Sequence, residues 1–145
     1  MNKNSEAILI FCSHLCVNNF IKPLEPSEWS DLVSKLIAAN LEPKDLLNFS
    51  REDYIVKLGF EDTKVERFAR LVDRSGSISF EIVKYENMGI FPITRADKSY
   101  PKALKQKLGN QCPPLFYCAG DVELLNKSYV GYVGSRKVND EDIQF

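Results

Sequence analysis

Gly134, Ser135 and Arg136 follow an apolar run, Tyr129 to Val133, and their types suit a phosphate. Glycine lets a backbone approach closely, the serine hydroxyl and free backbone N–H groups donate, and the guanidinium supplies charge in a planar fork. Lys137 adds a further cation. Upstream, Arg95, Lys98, Lys102, Lys105 and Lys107 stand against one carboxylate, Asp97. Lys102 and Lys105 share one face of a short helix, a placement that fits either a nucleic-acid backbone or a solvated surface. Tyr100, Phe116 and Tyr117 offer rings on which bases stack in single-strand binders. Their place in or beside apolar strands favours core packing. No nucleophile–base set can be assembled around the single His14, and no carboxylate pair is arranged for acid–base work, so no catalytic residue is named. Cys12, Cys16, Cys112 and Cys118 lack paired C-x-x-C spacing, which excludes a metal site, and Cys12 and Cys16 read as core thiols.

Helices and strands must position these residues. An apolar helix is expected over Glu6 to Val17, then a break at Lys22 to Pro26. Ser27 is the expected cap of an amphipathic helix carrying Trp29, Leu32, Val33, Leu36 and Ile37 at helical spacing. Ser50 with Asp53 resembles a capping box, and the helix after it stops at Gly59, a left-handed position. Asp62 or Thr63 caps the next helix, with Val65, Phe68, Ala69, Leu71 and Val72. Helix, Leu58-Gly59-Phe60 turn and helix outline a helix-hairpin-helix or sterile-alpha-motif-like unit. Glu61 and Asp62 beside that turn repel a phosphate, which favours packing or protein contact there. Arg74 to Ser77 is the expected boundary, dividing a helical domain, 1–78, from a second domain, 79–145. In the second, Ser79 caps a helix to Asn87 and "IFPIT" is a strand. Pro101 opens the basic helix, "PLFYCAG" is a strand, and Tyr129 to Gly134 is a buried strand ending on the phosphate turn.

A chain of 145 residues with 44% apolar residues is able to form a core, and a net charge of −1 excludes coating of nucleic acid by bulk charge. A secretory leader and a run long enough to span a bilayer are not expected. The expected setting is the cytoplasm, with no cofactor.

From Gly89 to Arg136 the order of elements resembles the DNA-processing protein A family, also called Smf. The matching residues are Thr94 with Asp97, Tyr100-Pro101 with Leu104, Pro113-Pro114 with Gly120, Leu124-Leu125, and Val133 to Arg136. Each piece is short, and their order and spacing over this stretch make the match specific. The resemblance implies a helical domain ahead of a Rossmann-like core, hence an α+β to α/β chain. It also implies a bacterial recombination mediator that binds single-stranded DNA and loads the recombinase RecA during natural transformation, with a homodimeric parent. On this resemblance Gly134, Ser135, Arg136 and Lys137, with Lys102 and Lys105, are the expected DNA-binding residues. Two departures accompany it. Glu141 and Asp142 stand where the family has Tyr-Gly, and acidic residues at a helix start oppose a phosphate there. The chain also ends at Phe145, so the Rossmann-like domain is expected to be incomplete and its DNA binding weak. Two other readings are a helical protein-interaction module without a DNA role, and a Rossmann-type nucleotide phosphoribohydrolase. The enzyme reading needs a catalytic Glu/Arg set that does not occur before Phe145.

Overall fold

The computed structural model describes residues 1–17, 21–128 and 130–134. Its first helix, α1 (Lys3–Cys12), is capped by Asn2, whose side chain accepts from the Ser5 backbone N–H at 2.8 Å. Ser5 and every residue from Ala7 to Cys12 are buried. A helix buried almost all round needs neighbours on every side, and the later elements supply them. These are α2 (Pro26–Ala38), α3 (Arg51–Leu58), α4 (Asp62–Asp73), α5 (Ser75–Asn87), β1 (Ile90–Thr94), α6 (Lys102–Leu108) and β2 (Leu115–Ala119). Among the described residues the chain is therefore mainly helical with one small sheet, an α+β arrangement. No described helix is long and apolar enough to cross a membrane.

Ile8, Ile10, Phe11 and Cys12 face the helical side, with Trp29, Leu32, Leu36, Tyr54, Val65 and Phe68. Phe68 is the aromatic hub there, with ring centroids 5.9 Å from Phe11, 5.3 Å from Tyr54 and 5.1 Å from Phe60. Each such pair contributes about 0.5–1.5 kcal/mol beyond its area burial. Leu9 faces the other way and packs with Ile78 and Ile82 of α5.

Local sequence signals account for much of this layer. Ser50 and Asp53 cap α3 reciprocally, at 3.2 Å and 2.8 Å. Gly59 closes the helix at φ 66°, a left-handed conformation that glycine adopts without a Cβ penalty. α2 starts earlier than the expected Ser27 cap. Pro26 occupies its first turn, and Glu28 accepts from the Glu25 N–H at 2.9 Å. Ile37 is 70% exposed instead of joining the apolar stripe. Arg67 of α4 grips Glu28 with two nitrogens, at 2.7 Å and 3.0 Å, and also donates to the Lys22 and Pro23 carbonyls.

α1 ends at Cys12, short of the expected Val17, because Ser13 and Arg74 take over its last carbonyls and the turn that follows. Ser13 Oγ accepts from the Leu15 N–H at 3.0 Å and shares a hydrogen bond with the Tyr117 hydroxyl at 2.9 Å. The buried Arg74 donates to the Ile10 carbonyl at 2.7 Å and the Leu15 carbonyl at 2.9 Å, a cation at a helix C-terminus. Cys16 is consequently exposed, at φ 55°, and is not a core thiol. Cys12 is one, and burial pushes its thiol pKa well up. Arg74 thus sits at a packed joint between α4 and α5. α5 begins at Ser75, ahead of the expected Ser79 cap, and Ser79 lies inside it with Oγ bonded to the Ser75 carbonyl at 3.0 Å.

β1 and β2 pair antiparallel, with Ile90 opposite Ala119 and Thr94 opposite Leu115. Val130 to Gly134, the described part of the third expected strand, forms no strand. Val130, Tyr132 and Val133 are 78%, 93% and 102% exposed. A buried strand needs a ladder partner and cover on both faces, and the described sheet contains only β1 and β2.

A polar knot fixes the sheet on α1. Ser5 Oγ donates to Asp97 Oδ1 at 2.7 Å, and Thr94 Oγ1 lies 2.9 Å from Ser5 Oγ and 2.8 Å from Asp97 Oδ2. The Thr94 N–H also donates to Asp97 Oδ2 at 2.8 Å. Replacing Asp97 by alanine strands these donors, and the expected cost is about 2 kcal/mol of unfolding free energy. Urea denaturation of Asp97→Ala against the parent measures it, and Asp97→Asn, which keeps an acceptor, should lose less.

Glu28 supplies a pH test. Hydrogen bonds from Arg67 are the largest cause holding its carboxyl below the usual glutamate range. A lowered folded-state pKa gives stability that is present above the unfolded value and is lost as pH falls through the folded one. The melting-temperature gap between the parent and Glu28→Gln should be widest near about pH 6 and narrow toward about pH 3.

Candidate nucleic-acid interface

The turn after β1 is built by the Thr-x-x-Asp pair. The Asp97 N–H donates to the Thr94 carbonyl at 2.9 Å, and the Arg95 N–H donates to the Pro114 carbonyl at 2.9 Å. This sets Arg95 beside α2, where one of its terminal nitrogens donates to Ser30 Oγ at 3.2 Å. Ser30 Oγ donates in turn to the Asn110 carbonyl at 3.1 Å. Lys105 of α6 reaches back to the Arg95 carbonyl at 2.8 Å, with its ammonium 5.3 Å from the centre of the Tyr100 ring.

Arg95 and Lys105 are therefore brought together. Lys102 lies one turn earlier on α6, and Lys98, Lys102 and Lys107 are exposed. Among the described residues none of these five cations forms an ion pair, whereas Lys3, Lys22, Lys44, Arg51, Lys57, Arg67, Arg70 and Lys84 all do. Cations without carboxylate partners keep their field for an outside anion. Gly134 is exposed. Ser135, Arg136 and Lys137 lie outside the described residues, so their distance from the basic helix is not part of this geometry.

Tyr100, Phe116 and Tyr117 take the core role. Tyr100 is 2% exposed. Its hydroxyl donates to the Pro113 carbonyl at 2.6 Å and lies 3.0 Å from Cys112 Sγ. Burial, then the bond with Cys112, holds the phenol well above its ordinary pKa. Phe116 packs 5.5 Å from Tyr100, and Tyr117 packs 5.8 Å from Tyr85. Pro113-Pro114 thus works as a pair of acceptors, Pro113 for Tyr100 and Pro114 for Arg95. Proline lacks an N–H but keeps a full carbonyl.

A cleft of about 400 Å³ opens between α1, α2 and the Arg95 turn, lined among others by Trp29, Ser30, Val33, Arg95 and Lys105. The basic run pointed to Arg95 and Lys105, but Trp29 and Ser30 carried no signal beyond helical periodicity. Among the described residues no group of three His, Cys, Asp or Glu side chains is placed to hold a metal ion.

Residues 91–145 match the family model described as DNA recombination-mediator protein A, a stretch that includes the residues from Thr94 to Arg136. The match leaves residues 1–90 outside it. No curated protein matches the chain, and no solved structure does.

Because Tyr100 is a packing residue, Tyr100→Phe should lose about 1–2 kcal/mol of stability through the hydroxyl's partners. Oligonucleotide affinity of the folded variant should stay within twofold or so of the parent, since no stacking surface is removed. Thermal unfolding and anisotropy on the same preparation check both halves.

Proposed function

We propose that the chain acts in DNA recombination as a mediator of the DNA-processing protein A type, binding single-stranded DNA in the cytoplasm for delivery to RecA in natural transformation. The observation that carries this reading is the ordered motif set from Thr94 to Arg136, lying within the stretch that matches the recombination-mediator family. The cations Arg95, Lys98, Lys102, Lys105 and Lys107, which form no ion pair among the described residues, support it. In this reading Gly134, Ser135, Arg136 and Lys137 hold a phosphate as a Rossmann-like strand end does, and Lys102 and Lys105 add backbone contacts. Such contacts fix a strand without reading its sequence. No catalytic step is assigned. Residues 1–78 serve as a sterile-alpha-motif-like or hairpin module and residues 79–145 as the DNA-facing part. A homodimer belongs to the same proposal.

A second reading, protein contact through the helical part, is favoured by one feature. Glu61 and Asp62 are exposed beside the Gly59 turn and oppose a phosphate where a DNA-binding hairpin would take one.

Fluorescence anisotropy with labelled oligo-dT at low and moderate salt separates the two. The expected result is weak, steeply salt-dependent binding, roughly in the 10⁻⁴–10⁻⁶ M range typical of phosphate-only contact. Arg136→Ala should weaken it severalfold. Binding that survives Arg136→Ala but is lost in the Lys102→Glu, Lys105→Glu double variant moves the contact to the basic helix. No salt-dependent binding at all leaves only the protein-contact reading.

A further inference from the structure

We infer that the cleft between α1, α2 and the Arg95 turn is a site for a nucleoside phosphate, a phosphate monoester carrying a base. Its volume of about 400 Å³ lies within the roughly 300–1,000 Å³ of small-molecule sites. The two ends of such a ligand need different surroundings, and the lining provides both. Ile8, Trp29, Val33 and Pro43 line an apolar wall, whose accessible surface comes from the half-buried Val33 and Pro43 with the buried Trp29 behind them. Trp29 is 2% exposed and packed 6.2 Å from Phe11, so that wall is held rigidly.

Arg95 and Lys105 line the same cleft. Among the described residues Arg95 makes one side-chain hydrogen bond, to Ser30, and Lys105 makes one, to the Arg95 carbonyl. Both therefore retain N–H groups, and among the described residues neither is paired with a carboxylate. A neutral aromatic ligand would leave these charges unused, and an inorganic anion would leave the apolar wall unused. Fork-like guanidinium and point-charge ammonium together fit a phosphate. The ligand is either a free nucleotide or the phosphorylated end of a strand, which present the same chemistry. This goes beyond the DNA-binding reading above and shares with it the supporting cation Arg95 and the contact residue Lys105.

Trp29 is the chain's single tryptophan, so its emission reports the cleft directly. Titration with thymidine monophosphate should give a saturable change, while thymidine alone and inorganic phosphate alone should each need far higher concentrations. Arg95→Gln and Lys105→Gln should each weaken the response roughly tenfold, and Lys84→Gln, on α5 and outside the cleft lining, should leave it unchanged. Lys105 is exposed, so Lys105→Gln serves if Arg95→Gln fails to fold. No saturable change with thymidine monophosphate, or one insensitive to Lys105→Gln, overturns the inference. Preference for oligo-dT with a terminal phosphate over oligo-dT without one supports the site as a strand end, and equal response to both supports a free nucleotide. Oligo-dT binding by anisotropy with a silent Trp29 sinks the cleft and spares the DNA reading. A Trp29 response without oligo-dT binding does the reverse.

Discussion

The hydrogen-bonded knot of Ser5, Thr94 and Asp97 decides how the sheet sits on the helices. Helix α1 is buried among α2, α4, α5 and both strands, so any polar side chain on it must find a partner inside the fold. Ser5 at one end finds Asp97 and Thr94, and Ser13 at the other end finds Tyr117. The strands are thereby pinned at two points along one helix, one from the end of β1 and one from within β2. Antiparallel pairing between the strands then fixes the rest. The Arg95 turn and the start of α6 inherit their positions from this attachment. The Thr-x-x-Asp motif is thus structural at this point in the chain: its threonine and aspartate hold the turn that carries Arg95, while neither is a candidate ligand.

Charge is divided unequally over the molecule. Ion pairs bind together the surface of the helical part, as in Arg67 with Glu28 and Arg51 with Glu66. Exposed pairs of this kind each contribute little stability, but they occupy many of the local cations, with Lys35 bonded instead to the Leu58 carbonyl. In the stretch from Arg95 to Lys107 the only carboxylate is Asp97, and Asp97 is occupied by hydroxyls and N–H groups. A net charge of −1 therefore hides a local surplus on one surface. That surplus is compositional, five cations against one carboxylate, and Asp97 keeps its charge while it fixes the fold.

How much of this was legible in the sequence depends on the range of the interaction. Ser50 with Asp53, Gly59, the basic helix and both strands were legible because their physics is confined to a few neighbouring residues. The order of motifs from Thr94 to Arg136 was legible for the same reason, as a string of short patterns. What escaped was long-range. Ser5 stood just before the expected helix and Ser13 within it, and their partners lie roughly ninety to a hundred residues away. Arg74, placed at the expected boundary, is a buried cap for α1, while α5 starts at Ser75 and Cys16 is exposed. Val130 to Gly134 has the apolar pattern of a buried strand, but pattern alone supplies no ladder partner. In the cleft, Arg95 and Lys105 were visible as charge, whereas Trp29 and Ser30 joined them only through packing.

These ranges also explain why phosphate chemistry can be argued at two places with different force. At Gly134 to Arg136 the argument is compositional: residue types suited to an anion stand in the order the matched family uses. At Arg95 and Lys105 it is geometric, since both cations are fixed by named bonds beside a rigid indole. Lys105 connects the two, because it lies on the basic face of α6 and lines the cleft. A strand tracking the basic helix would reach the cleft at Lys105, and a terminal nucleotide there would gain an apolar wall that the backbone contacts lack. The polar knot contributes to that, since Ser5 holding Asp97 and Arg95 bonded to Ser30 together fix the Arg95 turn beside α2.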